Sequence, residues 1–132
     1  MNLKIIKSVR TNNVKDESVM QKITDVWKEA SSVLENHDGV TYGLYHDYES
    51  DFKGDYTLSV AIQSEDKAST IHIPNTNKYK VFEVDTSVEN GILNSWKQIW
   101  ESEENGNVKR AYTYDYEKYY PDGRIEIYIA TR

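Results

Sequence analysis

Residues 16–36 read DESVMQKITDVWKEASSVLEN and contain the clearest helical pattern of the chain. Their apolar side chains recur every three or four residues and therefore form a single stripe along a helix. The stripe consists of Val19, Ile23, Val26, Trp27, Ala30, Val33 and Leu34. Ser18, with Gln21 three residues later, predicts a capping box at the start of this helix, and Asp16 is a competing cap.

A second helix is predicted over about residues 87–103. Thr86, with Glu89 three residues later, is a second capping signal, and apolar residues follow it on one helical face. These are Val88, Ile92, Trp96 and Ile99, with Leu93 and Trp100 beside them. Gly91 lies inside this segment and weakens the helix by about 1 kcal/mol relative to Ala.

The rest of the chain reads as strands and turns. Six segments are rich in β-branched and aromatic residues and are separated by Gly, Asn, Asp and Pro. They cover residues 3–9, 41–48, 56–63, 79–84, 111–117 and 124–130. In the last segment, alternation places Ile125, Ile127 and Ile129 on one buried face. The predicted order is therefore β-α-β-β followed by β-α-β-β.

Residue spacing indicates that the two halves are repeats. Trp27-Lys28 and Trp96-Lys97 occupy similar places in the two helices. Tyr48-Glu49 follows the first tryptophan at nearly the distance at which Tyr116-Glu117 follows the second. We therefore predict one α+β domain over residues 1–132, built from units of about 1–64 and 70–132 with a solvated turn over residues 64–69. The units are expected to pair about a pseudo-twofold axis in an antiparallel sheet, with both helices on one face and a ligand cleft at the axis.

Composition excludes several classes of function. The 132 residues contain no cysteine, so disulfides, thiolate metal sites and cysteine nucleophiles are absent. The formal net charge is −6 and the 16 basic residues are scattered, so we expect no direct nucleic-acid partner. No segment has the apolar length of a membrane span, and the first residues carry charge too early for a secretory signal. We therefore expect a cytoplasmic protein without membrane contact.

Metal and cofactor motifs are missing as well. His37, His46 and His72 do not have the spacing of metal ligands, and the chain has neither a phosphate-binding glycine loop nor a nucleophile elbow. We expect neither a metal nor a cofactor.

The aromatic composition is more informative, because the chain has 11 Tyr and 3 Trp but only 2 Phe. Tyrosine suits half-wet binding surfaces, although it also covers the exposed faces of strands.

Several segments together resemble the GyrI-like family, the bacterial effector-binding domain of multidrug-sensing and AraC-type regulators. The resemblance covers about residues 27–130. Its pieces are Tyr42-Gly43-Leu44-Tyr45, Tyr48 to Phe52, Gly54 to Leu58, Ile73-Pro74, Lys78 to Val84, Trp96, Trp100, Asp115 to Tyr119 and Ile125 to Ile129. Each piece is weak alone, and their order and spacing make the match specific.

The resemblance implies a duplicated β-α-β-β fold with a central pocket for small aromatic or cationic molecules. The acidic pocket residue of the family falls on Glu117, and Tyr116 stands where Phe is usual. No helix-turn-helix precedes the first strand, so we expect a stand-alone member that does not regulate transcription in cis.

Alternation in the strand around Glu117 predicts two faces. Thr113, Asp115, Glu117 and Tyr119 form one, and Tyr112, Tyr114, Tyr116 and Lys118 form the other. A carboxylate among aromatic walls is costly to desolvate, so Glu117 would favour a cationic ligand, to which each ring adds about 0.5–2 kcal/mol of cation–π attraction. The alternative is that Glu117 only bonds tyrosine hydroxyls or pairs with Lys or Arg.

Five aromatic residues are further candidates for ligand contacts. Trp96 and Trp100 share a helix face, which indicates either core packing or the pocket wall, and Trp96 is the better candidate. Tyr45, Tyr56 and Tyr119 are further candidates for the cleft. Arg110, just before the strand of Glu117, could neutralise an acid or cap the edge of the sheet, and solvation is the favoured interpretation.

The leading hypothesis is a stand-alone binding protein for a small organic molecule. One alternative, implied by relatives that open strained electrophilic rings, is a hydrolase in which Glu117 is the general base and a tyrosine such as Tyr119 orients the substrate. The other is a gyrase-inhibitor-like interaction domain, whose partner would be a topoisomerase or a transcription regulator.

Overall fold

The computed structural model describes residues 1–64, 71–74 and 76–132. The predicted turn over residues 64–69 therefore lies, except for Ser64, outside the described residues. The elements in chain order are β1 Asn2–Thr11, α1 Val19–Val33, β2 Thr41–His46, β3 Tyr56–Gln63, β4 Ile71–His72, β5 Lys78–Glu83, α2 Gly91–Glu104, β6 Asp115–Tyr119 and β7 Ile125–Thr131. No helix in these ranges is both long enough and apolar enough to cross a membrane.

The described strands form one seven-stranded sheet in the order β4-β1-β3-β2-β6-β7-β5, and every neighbouring pair is antiparallel. Strands β1-β3-β2 belong to the first repeat, and β5-β7-β6 form its counterpart in the second. The repeats join edge to edge at β2 and β6. This arrangement confirms the predicted α+β fold of two β-α-β-β units, and the short β4 is an addition that the sequence did not reveal.

The centre of the β2–β6 ladder marks the pseudo-twofold axis. Thr41 pairs with Tyr119 and Tyr45 pairs with Asp115, so the pair Gly43–Glu117 lies midway along the ladder. The axis passes between Gly43 and Glu117, and it relates Tyr45 to Tyr119. The two strands that meet here therefore contribute equivalent positions to the middle of the molecule.

The residue alignment of the repeats that spacing suggested is wrong. It equated Tyr48-Glu49 with Tyr116-Glu117, but Glu49 lies in an exposed segment beyond β2, whereas Glu117 is buried inside β6. The chain between helix and strand is longer in the second repeat. Equal spacing from the two tryptophans therefore does not identify equivalent residues.

Both helices pack on the same face of the sheet. In the first repeat, Val26 and Ala30 of α1 cover Leu58 and Val60 of β3. The second repeat has the same arrangement, in which Trp96 and Ile99 of α2 cover Ile127 and Ile129 of β7. A fully buried Leu, Ile or Val contributes about 1.5–3 kcal/mol to folding. These two clusters therefore hold one helix over each repeat and leave the central strands between them.

The opposite face has a hydrophobic cluster of its own. Its buried members are Leu3, Tyr42, Leu44, Ala61, Ile73 and Tyr116. The α-amino group of Met1 donates a hydrogen bond of 2.8 Å to the carbonyl of Ile73, which ties the segment after β4 to the N-terminus. Because Tyr42 and Tyr116 lie on this face, the tyrosines divide between the two sides of the sheet.

Neither predicted capping box forms, since no side-chain cap bond occurs at the start of either helix. Asp16 Oδ1 accepts the backbone N–H of Ser18 at 2.9 Å, and the side chain of Ser18 makes no cap bond. The Gln21 side chain turns instead to Asp25, at 2.8 Å. The competing cap, Asp16, thus supplies the polar contact at the start of α1.

The second helix begins later than predicted, at Gly91 rather than at about residue 87. Asp85 Oδ1 accepts the backbone N–H and the hydroxyl of Ser87, at 3.0 and 2.5 Å, which holds the preceding segment in a turn. A Cβ at Gly91 would lie 2.1 Å from the carbonyl oxygen of Asp85. Gly91 is therefore the residue that lets the helix start against this turn.

The strand predicted over residues 111–117 is displaced toward the C-terminus. Strand β6 begins at Asp115. Tyr112 has a φ of 55°, a left-handed backbone conformation that residues other than glycine rarely adopt. Asp115, Glu117 and Tyr119 share the helix-facing side as predicted. Tyr112 was predicted on the opposite face, and it instead bonds Glu103 of α2 through its hydroxyl at 2.6 Å.

Candidate functional site

A cavity of about 680 Å³ lies beside the pseudo-twofold axis. Both helices line it, together with strands β2, β3 and β6. It exists because the helices cover the outer strands of their own repeats and do not meet over the centre. The predicted ligand cleft at the junction of the repeats is therefore present as a cavity in the fold.

The walls of this cavity are mainly aromatic. All three tryptophans of the chain line it, namely Trp27, Trp96 and Trp100. Phe52 and the tyrosines Tyr45, Tyr48, Tyr56 and Tyr119 complete the aromatic lining. Ring faces of this kind offer apolar contact and, through their negative faces, attraction for positive charge.

The structure brings all six sequence-predicted site residues to this one cavity. Glu117, Tyr119, Trp96, Trp100, Tyr45 and Tyr56 all line it. Trp96 also packs against Ile99 in the core, so packing and pocket lining are combined in one side chain. Their position is an observation, and their role in ligand binding stays a prediction.

Glu117 lies at the centre of the cavity floor and accepts three hydrogen bonds from neutral donors. Its Oε2 accepts from the Trp96 indole Nε1 at 2.7 Å and from the Tyr45 hydroxyl at 3.0 Å. Its Oε1 accepts from the Tyr119 hydroxyl at 2.7 Å. The side chains that form the wall of the cavity thus also orient the carboxylate.

The charge of Glu117 is not balanced by a cation. The residue is 3% exposed, and within residues 1–64, 71–74 and 76–132 no Lys, Arg or His forms an ion pair with it. Burial raises the pKa of Glu117, although its bonds from Trp96, Tyr119 and Tyr45 act in the opposite direction. Burial, reinforced by the nearby carboxylate, also raises the pKa of Tyr45 and Tyr119, which keeps both hydroxyls protonated as donors.

Gly43 makes room for this arrangement from the neighbouring strand. A Cβ at position 43 would lie 2.9 Å from Glu117 Oε1 and 2.9 Å from Cζ2 of Trp27. Contacts this short do not occur in well-packed proteins, so a larger residue would displace the carboxylate, the indole or both. The pseudo-symmetry thus places a carboxylate on one side of the axis and a glycine on the other, and the carboxylate and the Trp27 ring fill the space that a side chain at position 43 would need.

The pseudo-symmetry also explains the pairing of rings around the carboxylate. Trp27 of α1 packs edge-to-face on Tyr119, with ring centroids 5.0 Å apart. Trp96 of α2 packs in the same way on Tyr45, at 5.1 Å. Each helix therefore contributes one indole to a tyrosine on the central strand of the other repeat. These two pairs form opposite walls around Glu117.

Arg110 lines the same cavity and is buried, which corrects the interpretation of this residue as solvated. Its Nη2 donates to Asp115 Oδ2 at 2.8 Å, and the guanidinium carbon lies 4.4 Å from the centre of the Tyr112 ring. Asp115 is completely buried and also accepts the Tyr48 hydroxyl at 2.5 Å and the backbone N–H of Ala130 at 2.8 Å. Arg110 thus neutralises Asp115 and leaves Glu117 without a cationic partner.

Sequence reasoning did not select Gly43, Trp27, Tyr48 or Arg110 as site residues. Trp27 carried a signal, because it is the counterpart of Trp96 in the repeat. Gly43 carried none that could be separated from an ordinary strand glycine, since its importance depends on the residue opposite it. Arg110 carried no signal either, because its approach to Asp115 depends on the left-handed conformation of Tyr112 between them. No cluster of three or more His, Asp or Glu side chains in metal-binding geometry occurs among the described residues.

Comparisons with known proteins identify the family and support the fold. No curated protein matches the chain. Among solved structures, an integron cassette protein from the mobile metagenome of Vibrio cholerae, VCH_CASS2, is similar with a TM-score of 0.73. It is 26% identical in sequence, and the match covers 100% of this chain and 92% of that one. The resemblance to GyrI-like proteins is thereby confirmed at the level of the effector-binding superfamily. The model of the Cass2 family matches residues 5–131, and the chain therefore belongs to this family of integron-associated effector binding proteins.

Proposed function

We propose that this protein is a receptor or sequestering protein for small, hydrophobic, cationic molecules. The observation that carries the proposal is the buried, unpaired carboxylate of Glu117 on the floor of an aromatic cavity. The effector-binding family of the chain supports a small-molecule ligand. The nature of that ligand follows from the charge and shape of the site.

The electrostatics of the cavity favour a positive ligand. The lining contains two negatively charged residues, Glu117 and Glu89, and the positively charged Arg110. The charge of Arg110 is balanced by Asp115. A desolvated carboxylate without a counter-ion is costly, and a ligand cation supplies the missing partner. Because a carboxylate oxygen accepts about two hydrogen bonds, Oε1 of Glu117 keeps an acceptor position beyond the bond from Tyr119.

The aromatic walls add affinity for the same kind of molecule. Trp27, Trp96, Tyr45 and Tyr119 lie around the carboxylate, so a cation that approaches Glu117 can contact the face of a ring. Each favourable cation–π contact contributes about 0.5 kcal/mol when exposed and about 2 kcal/mol when desolvated. A hydrophobic cation therefore gains from the rings and the acid together, whereas a neutral molecule gains from the rings alone.

The size and rim of the cavity fit a drug-sized compound. Its volume of about 680 Å³ is within the range of about 300–1,000 Å³ typical of small-molecule sites. At the rim, Met20 is 70% exposed, Leu93 46% and Phe52 40%. Flexible apolar side chains such as methionine adapt to ligands of different shape. We therefore infer a ligand with an apolar body that extends past the rim.

A thermal-shift screen of aromatic quaternary ammonium and phosphonium cations tests the proposal on the wild type and on Glu117→Gln. We expect at least one cation to raise the melting temperature of the wild type and to lose that effect in the variant. Glu89→Gln is the matched control, because it removes the same charge at an exposed position of the cavity lining. Identical hit profiles in wild type and Glu117→Gln would remove Glu117 from the site.

A hydrolase is the second candidate, and the raised pKa of Glu117 favours it. A buried carboxyl of raised pKa is a better general base than an exposed one, and the Tyr119 hydroxyl lies next to it. Mass spectrometry of mixtures with strained, electrophilic aromatic compounds distinguishes the candidates. Product that forms with the wild type and not with Glu117→Gln would indicate hydrolysis, whereas unchanged compound together with a thermal shift would indicate binding alone.

A further inference from the structure

We propose that Arg110 is a second recognition point in the cavity and donates a hydrogen bond to a neutral acceptor on the ligand, such as a carbonyl oxygen. The ligand class would then be an aromatic cation that also carries a carbonyl, sulfonyl or ether oxygen. This inference rests on the proposed function, because it assumes that Glu117 holds the cationic group of the same molecule.

The guanidinium of Arg110 is held in a fixed position. The residue is 4% exposed, and one end of the guanidinium is fixed by the 2.8 Å bond from Nη2 to Asp115. The ring of Tyr112 stacks against it, with the guanidinium carbon 4.4 Å from the ring centre. The Tyr112 hydroxyl is in turn bonded to Glu103 at 2.6 Å. A donor that is fixed in this way loses little freedom when a ligand binds.

Part of the hydrogen-bonding capacity of Arg110 is unused. A guanidinium has five N–H donors, and the Nε of Arg110 is buried without a hydrogen-bond partner among the described residues. For Nη1, the nearest carboxylate oxygen in the same part of the chain is Glu103 Oε1, which is 3.9 Å away and beyond hydrogen-bond distance. Buried donors without partners are rare in proteins, and each one requires an explanation. Nε is enclosed by protein atoms, so Nη1 is the donor that a molecule in the cavity can approach.

The charges around Arg110 select a neutral acceptor over an anion. Asp115 already neutralises the guanidinium, and the carboxylate of Glu103 lies on its other side. An anionic ligand group would be repelled by both acids. A carbonyl oxygen accepts the hydrogen bond without adding a third negative charge.

Trp96 connects the two recognition points. Its indole N–H bonds Glu117 at 2.7 Å, and the guanidinium carbon of Arg110 lies 5.9 Å from the centre of its ring. A single aromatic ligand that lies along Trp96 can therefore reach the acid with its cation and Arg110 with its acceptor.

Matched probes test this inference. The first is 4-benzyl-N,N,N-trimethylanilinium, and the second is its 4-benzoyl analogue, in which a carbonyl replaces the bridging methylene. The meta isomers of both compounds extend the test to a second distance between the carbonyl group and the ammonium group. On the wild type we expect at least one ketone to bind about tenfold more tightly than its methylene partner, as a hydrogen bond to a charged donor predicts.

The matched variant is Arg110→Met combined with Asp115→Asn, which removes both charges together and does not leave a buried acid unpaired. Asn can still accept the N–H of Ala130. In this variant the ketone should bind no more tightly than the methylene compound. Infrared spectroscopy of the wild-type complex with a carbonyl-labelled ketone gives a readout that does not depend on how the variant folds. A carbonyl stretch lowered relative to the ketone in an apolar solvent supports the hydrogen bond.

The outcomes separate this inference from the proposed function. If the methylene compound binds in a Glu117-dependent way, but neither ketone gains affinity nor shows a lowered carbonyl stretch, Arg110 is not a recognition point and the cation site remains. If neither cation binds the wild type, the proposed function fails, and the inference on Arg110 fails with it.

Discussion

At the residue scale, the site depends on an acid that is oriented by neutral groups. Trp96, Tyr45 and Tyr119 satisfy most of the acceptor capacity of Glu117 without supplying positive charge. Such bonds favour the ionised form of a carboxyl, and burial opposes it more strongly here, so the pKa is raised. Neutral donors therefore fix the position of the Glu117 carboxylate, and no cation pairs with it within the described residues.

The raised pKa of Glu117 makes the stability of the protein depend on pH. A raised pKa means that the folded protein binds the proton more tightly than the unfolded chain. The free energy of unfolding should therefore fall as the pH rises from the unfolded pKa of about 4.5 through the folded pKa, by about 1.4 kcal/mol for each pH unit that separates these two pKa values. Urea denaturation between pH 4 and 7 measures this fall. In Glu117→Gln the same step should be absent, and an identical pH profile in both proteins would show that Glu117 is not desolvated.

Replacement of Gly43 tests the space around the carboxylate. Gly43→Ala places a Cβ 2.9 Å from both the Glu117 carboxylate and the Trp27 ring, and these side chains must move because the strand cannot. Overpacking of this kind costs about 1–3 kcal/mol, and we expect loss of cation affinity together with a lowered melting temperature. Gly39→Ala is the control, since its Cβ would meet only the exposed ring of His37, at 3.1 Å. Unchanged affinity in Gly43→Ala would contradict the packing described for the cavity floor.

At the element scale, the helices show where local sequence signals succeed and where they fail. The apolar stripe of residues 16–36 predicts both the existence of α1 and the face that it buries. Its start was ambiguous, because two side chains could cap it and only the folded chain selects Asp16. The start of α2 was wrong for a related reason. The bond between Asp85 and Ser87 holds a turn where helix propensity alone predicts the first helical residues.

Substitution of Gly91 tests whether helix propensity or the preceding turn determines where α2 begins. Helix propensity predicts that Gly91→Ala stabilises α2 by about 1 kcal/mol. The structure predicts the opposite, because the new Cβ would lie 2.1 Å from the backbone carbonyl of Asp85. We expect a lower urea midpoint for Gly91→Ala, whereas Asn94→Ala at an exposed position of the same helix should be neutral or slightly stabilising. A higher urea midpoint for Gly91→Ala would show that the turn before α2 rearranges at little cost to accommodate the new Cβ.

The strand before Glu117 shows the same limit of local signals. Residues 111–117 have strand composition throughout, and alternation gives the correct face for Asp115 and Glu117. The left-handed conformation of Tyr112 ends this pattern, and composition does not reveal it. For that reason the sequence located the acid correctly and missed the arginine that shares its cavity.

At the scale of the whole molecule, duplication produces the site. Two β-α-β-β units joined at β2 and β6 place their helices over the outer strands, and the space over the central strands remains open for a ligand. Periodicity, strand composition and the repeated Trp-Lys pairs predicted this architecture, although the Tyr-Glu spacing used with them aligned residues that are not equivalent. The asymmetry within it was not predictable in the same way, because Gly43 and Glu117 occupy equivalent positions with opposite roles, and only the strand register relates them.

The central claim is that Glu117 selects positive charge, and isothermal titration of a matched pair tests it most directly. The pair is 4-benzyl-N,N,N-trimethylanilinium and its neutral counterpart 1-benzyl-4-tert-butylbenzene, which have nearly the same shape. We predict that the wild type binds the cation at least about tenfold more tightly than the neutral compound, equivalent to about 1.4 kcal/mol, and that Glu117→Gln abolishes this preference. Equal affinity of the wild type for both compounds, or a preference for the cation that survives in Glu117→Gln, would contradict the claim.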